Sequence, residues 1–331
     1  MLGLLYCNGV YKLEQYKVSV IMPIYNGAEY ISKGIESILN QTYKNIELIV
    51  VDDGSVDDSK AIVESFNNSK IKYIYKENAG VGEARNTGLI NAQGDFVCFL
   101  DQDDWYDEDA IEYLLQKIVD DNADEVIGSF RLVGIDGTIK SQWTLDTELS
   151  WTKYRIVAPW GRIYRKSLID KYNIRFLDTK ISEDLYFNIL FLSYTNKVSI
   201  LNHVGYSWLD NAKSESHTNW NKISDDRNPL NVLDKLYDKI KDSPALFRVE
   251  EYPNVVYFFT KYLVWYILFN RKRNNKKEYT AMKEKCFLWL DEHFPEYRKM
   301  KYTGLFKPKG ELLKNRLCVT ACVLMHKIKI L

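Results

Sequence analysis

The sequence predicts an α/β fold with a mostly parallel, Rossmann-like sheet and helices on both faces. Between positions 18 and 130, apolar runs typical of buried strands alternate five times with segments of helical periodicity. Strands joined through helices pair in parallel by right-handed crossovers. Acidic clusters follow two of these strands, at the sheet edge where ligands of such folds bind.

Periodicity places the elements in order along the chain. The strands are expected at 18–23, 47–52, 70–76, 95–100 and 125–130, and the helices at 31–40, 57–66, 82–92 and 111–119. After residue 130 the pattern mixes short strands with a helix at 183–194, and beyond residue 220 it becomes helical and aromatic-rich. We therefore expect an N-terminal extension (1–16), a domain at 17–220 divided at residue 130, and a C-terminal helical extension (221–331).

Charge is unevenly distributed along a chain that is neutral overall. The 331 residues contain 45 Lys+Arg and 45 Asp+Glu, so no excess of basic residues points to nucleic acid. Residues 1–130 contain 10 basic and 23 acidic side chains, a net charge of −13, which leaves +13 for residues 131–331. The acidic half favours a cation or a carboxylate site, and the basic half favours an anionic surface.

Targeting and cysteine patterns favour a cytoplasmic protein. The five cysteines are scattered, which fits a reducing compartment; Cys318 and Cys322 lie one helical turn apart without a second pair. The N-terminus lacks the pattern of a signal peptide. The longest apolar run, 255–269, is interrupted by Lys261 and is too short to span a membrane.

Three acidic clusters stand where a ligand would bind. Asp52 and Asp53 end the second strand, Asp101-Gln102-Asp103-Asp104 follows the fourth, and Glu183-Asp184 begins a later helix. Clustered carboxylates favour a divalent cation, and Mg²⁺ or Mn²⁺ takes one or two of them together with substrate phosphates. Helix capping is the alternative, but it does not account for five aspartates within positions 101–109.

Several ordered motifs now identify a family resemblance. The segments VSVIMPIYNGAEY, ELIVVDDGS, ENAGVGEARNTGL and GDFVCFLDQDDW, continued by PWGRIYRKSLI and ISEDLYF, resemble the GT-A glycosyltransferases of family two. These are inverting enzymes that use nucleotide-diphosphate sugars. The resemblance is close from position 18 to 105, weaker to about 210, and absent from the C-terminal extension.

The resemblance implies a role for each matching residue. It implies that the donor is bound by eight residues: Pro23, Tyr25, Asn26, Glu29, Asp53, Arg85, Asp101 and Gln102. Among these, Asp53 would accept from the uracil ring N–H, and Arg85 would lie near the diphosphate. The metal would be held by Asp103, more weakly by Asp101, and Asp184 would be the catalytic base beside the acceptor-side Glu183.

Other interpretations of these residues remain open. Arg85, on a helix, could instead be an exposed ion-pair partner, and Tyr25 and Pro23 could merely form the turn after the first strand. His217 is a candidate third metal ligand, although a lone histidine is more often a surface residue. Trp160 and Trp208 could stack on an acceptor sugar or pack in the core.

The expected reaction is metal-dependent transfer, with inversion, of a hexose or N-acetylhexosamine from a UDP-sugar to a glycan hydroxyl. Similarity to bacterial capsule and exopolysaccharide enzymes implies a lipid-linked acceptor at the inner face of the plasma membrane. Two alternatives are a sugar nucleotidyltransferase, disfavoured because the loop PIYNGAEY lacks a basic residue, and a non-catalytic module of the same fold. A homo-oligomer is left open.

The C-terminal tail, 298–331, predicts peripheral membrane association. Nine basic side chains accompany one acid, Glu311, and an apolar stripe repeats at helical spacing through Leu313, Leu317, Leu324, Ile328 and Leu331. Such a helix lies in the interface of an anionic membrane. The alternative is that the stripe packs against the rest of the protein.

Overall fold

The computed structural model describes residues 13–211, 228–270 and 276–328. The chain forms two compact units. The first contains the sheet and comprises residues up to 147, 158–179 and 183–211, and the second comprises 148–157, 180–182 and the chain from 212 onward. The boundary expected near residue 220 falls outside the described residues and stays a prediction.

A nine-stranded sheet organises the first unit. In chain order the strands are β1 (Val18–Ile24), β2 (Ile46–Asp52), β3 (Ile71–Tyr75), β4 (Phe96–Phe99), β5 (Trp105–Tyr106), β6 (Glu125–Gly134), β7 (Ile139–Trp143), β8 (Arg162–Arg165) and β9 (Val198–Asp210). Their spatial order is β3-β2-β1-β4-β8-β6-β9-β5, and β7 pairs with β6. Strands β1, β2 and β4 are almost wholly buried, as their continuous apolar sequences require.

The parallel pairing predicted from the sequence holds in half of the sheet. Strands β3, β2, β1 and β4 pair in parallel, as do β6 and β9, whereas β8 lies antiparallel between β4 and β6. Because β8 opposes both of its neighbours, β4 and β6 still run in the same direction. The predicted strand directions are therefore right, but β4 and β6 are not adjacent.

Helices cover the sheet at the positions that the periodicity predicts. In the first unit they are α1 (Ile31–Leu39), α2 (Ser59–Ser65), α3 (Val81–Asn91), α4 (Ala110–Asp120), α6 (Lys166–Lys171) and α7 (Glu183–Leu192). Helix α3 approaches β1 most closely at Gly88, where a Cβ would lie 2.3 Å from Cγ2 of Ile21. Glycine is therefore needed for this close packing.

The second unit is helical. It contains α5 (Thr152–Arg155), α8 (Pro229–Ile240), α9 (Tyr252–Asn270), α10 (Lys276–His293), a 3₁₀ turn (Pro295–Arg298), α11 (Met300–Thr303) and α12 (Leu313–Lys327). Buried residues of α9, among them Val256, Phe259 and Leu263, form much of its core. Among the described residues, no helix combines the length and the apolar character needed to cross a membrane.

Candidate active site

Three loops meet at the carboxyl ends of β1, β2 and β4, and hydrogen bonds join them. The backbone N–H of Tyr25 donates to Oε1 of Gln102 (2.8 Å), which links the loop after β1 to the loop after β4. Asn26 links the first loop to the second, because its N–H donates to Ser55 Oγ (2.8 Å) and its Oδ1 accepts from Val56 N (2.9 Å). Gln102, expected at the donor, thus also orders the site.

The loop after β1 has no free backbone donors at its first four positions. Besides those of Tyr25 and Asn26, the N–H groups of Gly27 and Ala28 donate to Ser59 Oγ (2.9 Å) and Asp57 Oδ2 (3.0 Å). A phosphate-binding loop needs such N–H groups directed at the ligand. This loop therefore does not have the geometry of a phosphate cradle.

Asp53 is buried and orders the loop that follows β3. Its Oδ1 accepts from Lys76 Nζ (2.6 Å) and Ala79 N (3.0 Å), and its Oδ2 accepts from Gly80 N (2.7 Å). Since a carboxylate offers about four lone-pair sites, one site remains for a ligand N–H. The role expected of Asp53 at a uracil ring stays a prediction.

Arg85 brings the second and third acidic clusters together. Its guanidinium donates through Nη2 to Asp101 Oδ1 (2.8 Å) and through Nη1 to Asp184 Oδ1 (2.7 Å), while Glu183 Oε1 lies 3.9 Å from Nη1. The Arg85 side chain is 3% exposed, so these pairs form in a poorly hydrated environment. Arg85 is thus an ion-pair partner, but a buried one and not the exposed one of the alternative interpretation; its contact with a diphosphate stays a prediction.

The surroundings of Asp184 raise the affinity of its carboxylate for a proton. Burial, together with Glu183 and Asp101, raises its pKa above the ordinary value of an aspartate, against the lowering effect of Arg85 and Arg162. A carboxylate whose pKa lies nearer neutrality accepts a proton more readily. Ser182, two residues earlier, has φ = 64°, a left-handed conformation that is uncommon for serine.

The two last acids of the cluster after β4 differ in their surroundings. Asp104 is buried, and it accepts from Tyr206 O–H (2.7 Å) and Leu209 N (2.8 Å) of β9. Asp103 is half-buried; burial and the nearby Asp101 raise its pKa to about 6. Asp104 therefore anchors the loop to β9, while Asp103 remains available to a ligand.

The carboxylates fit a divalent cation that takes one or two ligands from the protein and the others from a substrate. Within the described part of the chain, no group of three or more His, Cys, Asp and Glu side chains could hold a metal by itself. Mg²⁺ usually takes one or two carboxylates and completes its coordination with phosphates and water. Asp103, with its raised pKa and its repulsion by Asp101, has the character expected of such a ligand.

Comparison with known proteins identifies the family. The model named "Glycosyl transferase family 2" matches residues 19–183, which include the first two acidic clusters and end at Glu183 of the third. The chain belongs to glycosyltransferase family 2.

Among curated relatives, Glycosyltransferase GlyA from Streptococcus pneumoniae is 35% identical over 58% of this chain, which covers 30% of GlyA. Cholesterol galactosyltransferase from Borreliella burgdorferi is 29% identical over 85% of this chain and 84% of its own length.

Solved structures show the same fold over nearly the whole chain. The crystal structure of S. aureus TarS 1–349 in complex with UDP-GlcNAc superposes with a TM-score of 0.75 at 22% identity. The match covers 95% of this chain and 92% of that one. The GT-A fold predicted from the sequence, with its C-terminal helical extension, is confirmed.

Two acceptor-side candidates, Trp160 and Trp208, lie within the described residues. Trp160 is a core side chain that stacks on Tyr206 at 4.7 Å between ring centroids, so its acceptor role is not carried further. Trp208 is half-exposed, 5.9 Å from the Trp160 ring. His217 lies outside the described residues.

The sequence did not predict the residues of this family 2 site that hold the acidic side chains in place. Tyr206 holds Asp104, and the Asn211 side chain hydrogen-bonds Asp103 and lowers its pKa. Both residues belong to the region near the end of β9, far along the chain from the cluster that they contact. No local spacing signals such a contact, because the pairing of β9 with β6 and β5 creates it.

Changing Tyr206 to Phe should destabilise the protein. Loss of the hydroxyl leaves Oδ2 of the buried Asp104 without its donor, at a cost of about 1–3 kcal/mol in the free energy of unfolding. Urea denaturation measures this, with Tyr113→Phe as the matched control, because Tyr113 is exposed and should change stability by less than about 0.5 kcal/mol. Equal stability of the two variants would contradict the anchoring role.

Proposed function

We propose that the protein transfers a hexose or N-acetylhexosamine from a UDP-sugar to a hydroxyl of an acceptor, with inversion at the anomeric carbon. The observation that carries the proposal is the convergence of Asp101, Glu183 and Asp184 on Arg85 beside the loops after β1, β2 and β4. Family membership and the fold shared with TarS, crystallised with UDP-GlcNAc, support the same donor class.

On the donor side, nucleotide contacts are assigned to the loops after β1 and β2. Tyr25 is 48% exposed beside the sheet edge, where its ring is available to a base. The remaining lone-pair site of Asp53 would accept from the uracil ring N–H, and a base with an acceptor at that position would be rejected. Pro23, Asn26 and Glu29 complete the expected nucleotide pocket.

On the acceptor side, Asp184 is proposed as the general base. As the acceptor oxygen attacks the anomeric carbon, its proton passes to the Asp184 carboxylate, and the bond to UDP breaks with its electron pair leaving on the diphosphate. The transition state has oxocarbenium character, as in glycoside hydrolysis. A single base on the face opposite the leaving group suffices for inversion.

A divalent cation, Mn²⁺ or Mg²⁺, is proposed at Asp103 with a weaker contribution from Asp101. When bound, it would supply positive charge against the departing diphosphate. The nucleotidyltransferase alternative is disfavoured by the loop after β1, whose first four backbone N–H groups donate to side chains. A non-catalytic module is disfavoured because the expected metal ligand Asp103 and the expected base Asp184 are both present.

A membrane-borne acceptor is proposed for the reaction, and α12 supports it. At about 100° per residue, four exposed apolar side chains fall within an arc of about 60°: Leu313, Leu317, Leu324 and Ile328. On the other side of the helix, Val319, Cys322 and Val323 are buried. The part of the predicted stripe that lies within the described residues is therefore exposed, which supports docking on a membrane over internal packing.

Charge on this surface favours anionic lipid. Glu311, the one acid of the tail at 298–331, is buried and paired with Lys261 at 2.5 Å, so it does not offset the surface cations. Lys307, Lys309 and Lys314, which are close in sequence to the start of the stripe, are exposed. Each such cation near an anionic surface contributes on the order of 1 kcal/mol.

A lipid acceptor also appears in the name of the relative cholesterol galactosyltransferase. Together with the exposed stripe and its flanking cations, this relative supports an acceptor that is held in a membrane. We propose peripheral association with the inner face of the bacterial plasma membrane, and capsule or exopolysaccharide synthesis as its setting.

Asp184→Asn should reduce transfer by about 10²- to 10⁴-fold, because the amide cannot accept the acceptor's proton. UDP affinity should change by less than about threefold, because the proposed base contacts the acceptor and not the nucleotide. Release of UDP in the presence of acceptor measures the first effect, and calorimetry with UDP measures the second. A collapse of UDP affinity together with activity would move Asp184 into the donor site.

Asp103→Asn should abolish activation by Mn²⁺ while the protein stays folded. Neutralising a carboxylate whose pKa is raised by burial and by Asp101 removes a repulsion, so the melting temperature should not fall. Direct titration with Mn²⁺ in the presence of UDP, followed by electron paramagnetic resonance, provides a readout independent of turnover. Unchanged Mn²⁺ binding by the variant would show that the metal assignment is wrong.

The double variant Leu313→Glu, Leu317→Glu should bind anionic vesicles at least about tenfold more weakly than the unaltered protein. Sedimentation with phosphatidylglycerol vesicles measures binding, and salt should weaken it. Leu288→Glu on α10 is the matched control, because Leu288 is similarly exposed but lies outside the stripe. Equal binding by the double variant and the control would overturn membrane docking by α12.

A further inference from the structure

The Arg85 guanidinium connects two segments that the proposed reaction requires at a fixed separation. Asp101 follows β4 on the donor side, and Asp184 lies in the first turn of α7. We propose that Arg85 is a positioning residue that sets the distance between the donor site and the catalytic base. This inference rests on the proposed function, because it takes Asp184 as the base.

Each terminal nitrogen of the guanidinium serves a different segment. Nη2 donates to Asp101 Oδ1 at 2.8 Å, and Nη1 donates to Asp184 Oδ1 at 2.7 Å. The two nitrogens belong to one rigid plane, so neither carboxylate can shift without losing its hydrogen bond. Within the described part of the chain, the remaining Nε is buried and has no hydrogen-bond partner.

The helix that carries Arg85 is itself held in place. The neighbouring Asn86 makes two hydrogen bonds with the backbone of Phe176: its Nδ2 donates to the Phe176 carbonyl (2.9 Å), and its Oδ1 accepts from the Phe176 N–H (2.8 Å). Gly88 lets α3 lie directly against Ile21 of β1. The Arg85 guanidinium also lies over the Phe176 ring, 5.2 Å from its centroid. These contacts fix the position from which the guanidinium reaches both carboxylates.

The same geometry leaves little capacity for a phosphate. Both terminal nitrogens donate to carboxylates, and the side chain is 3% exposed. A diphosphate could reach Arg85 only through the N–H groups that these two bonds leave, on a side chain that is almost fully buried. If Arg85 positions the base, its replacement should lower kcat; if it contacts the donor, its replacement should weaken donor binding. The two roles therefore predict different kinetics.

Arg85→Lys separates charge from geometry. A lysine keeps the positive charge and so protects the fold against uncompensated buried carboxylates, but a single ammonium cannot reproduce the planar bridge. We expect kcat to fall on the order of 100-fold, the loss typical of a catalytic group misplaced by about 1 Å. The donor KM and the Kd for UDP should each change by less than about threefold. Arg165→Gln, at the end of β8, is the matched control and should keep the unaltered kcat.

A double-mutant cycle with Asp184→Asn identifies the group through which Arg85 acts. If Arg85 acts through the base, Arg85→Lys should reduce the residual transfer of Asp184→Asn by less than about threefold. A further 100-fold loss in that background, or a fall in UDP affinity that matches the fall in kcat, would overturn the positioning role. Unaltered transfer by Asp184→Asn alone would instead refute the proposed base, so the two failures are distinguishable.

Discussion

A single cation among three carboxylates organises the candidate site. Arg85 is almost fully buried, and in such surroundings charge interactions are several times stronger than at the surface. Its bonds to Asp101 and Asp184 unite segments that lie far apart in the sequence. Three carboxylates against one guanidinium leave an excess of negative charge. A site of this kind favours a bound cation. Burial, together with Glu183 and Asp101, raises the pKa of Asp184, the carboxylate that would act as base.

The mixed half of the sheet supports the acidic loop after β4. Tyr206 and Leu209 of β9 donate to the two oxygens of Asp104. Asp104 therefore has a structural role, while Asp103 remains available to a ligand. Side-chain acceptors order the loops after β1 and β2. A donor would thus meet a site whose carboxylates are already placed, which reduces the ordering entropy lost on binding.

The fold was largely predictable because buried parallel strands and amphipathic helices leave strong periodic signals. The apolar runs around Val20, Leu48 and Val97 indicated both the strands and their common direction. Insertion of β8 between β4 and β6 was not predictable, since it depends on long-range pairing and not on local periodicity. For the same reason, motif spacing located Arg85 but could not reveal that its guanidinium is occupied by Asp101 and Asp184. The sequence likewise predicted the apolar stripe of α12 from its helical spacing. It could not show that the stripe faces outward, because that depends on the burial of Val319 and Val323.

The chemistry proposed for this geometry is inverting transfer from a UDP-sugar. Proton NMR of the first product formed from an α-linked UDP-hexose, with Mn²⁺ and a hydroxyl acceptor, tests it most directly through the coupling constant at the anomeric proton. Inversion predicts a β-linked product formed in step with UDP release. An α-linked product, or no release of UDP from any of a panel of UDP-sugars, would contradict it.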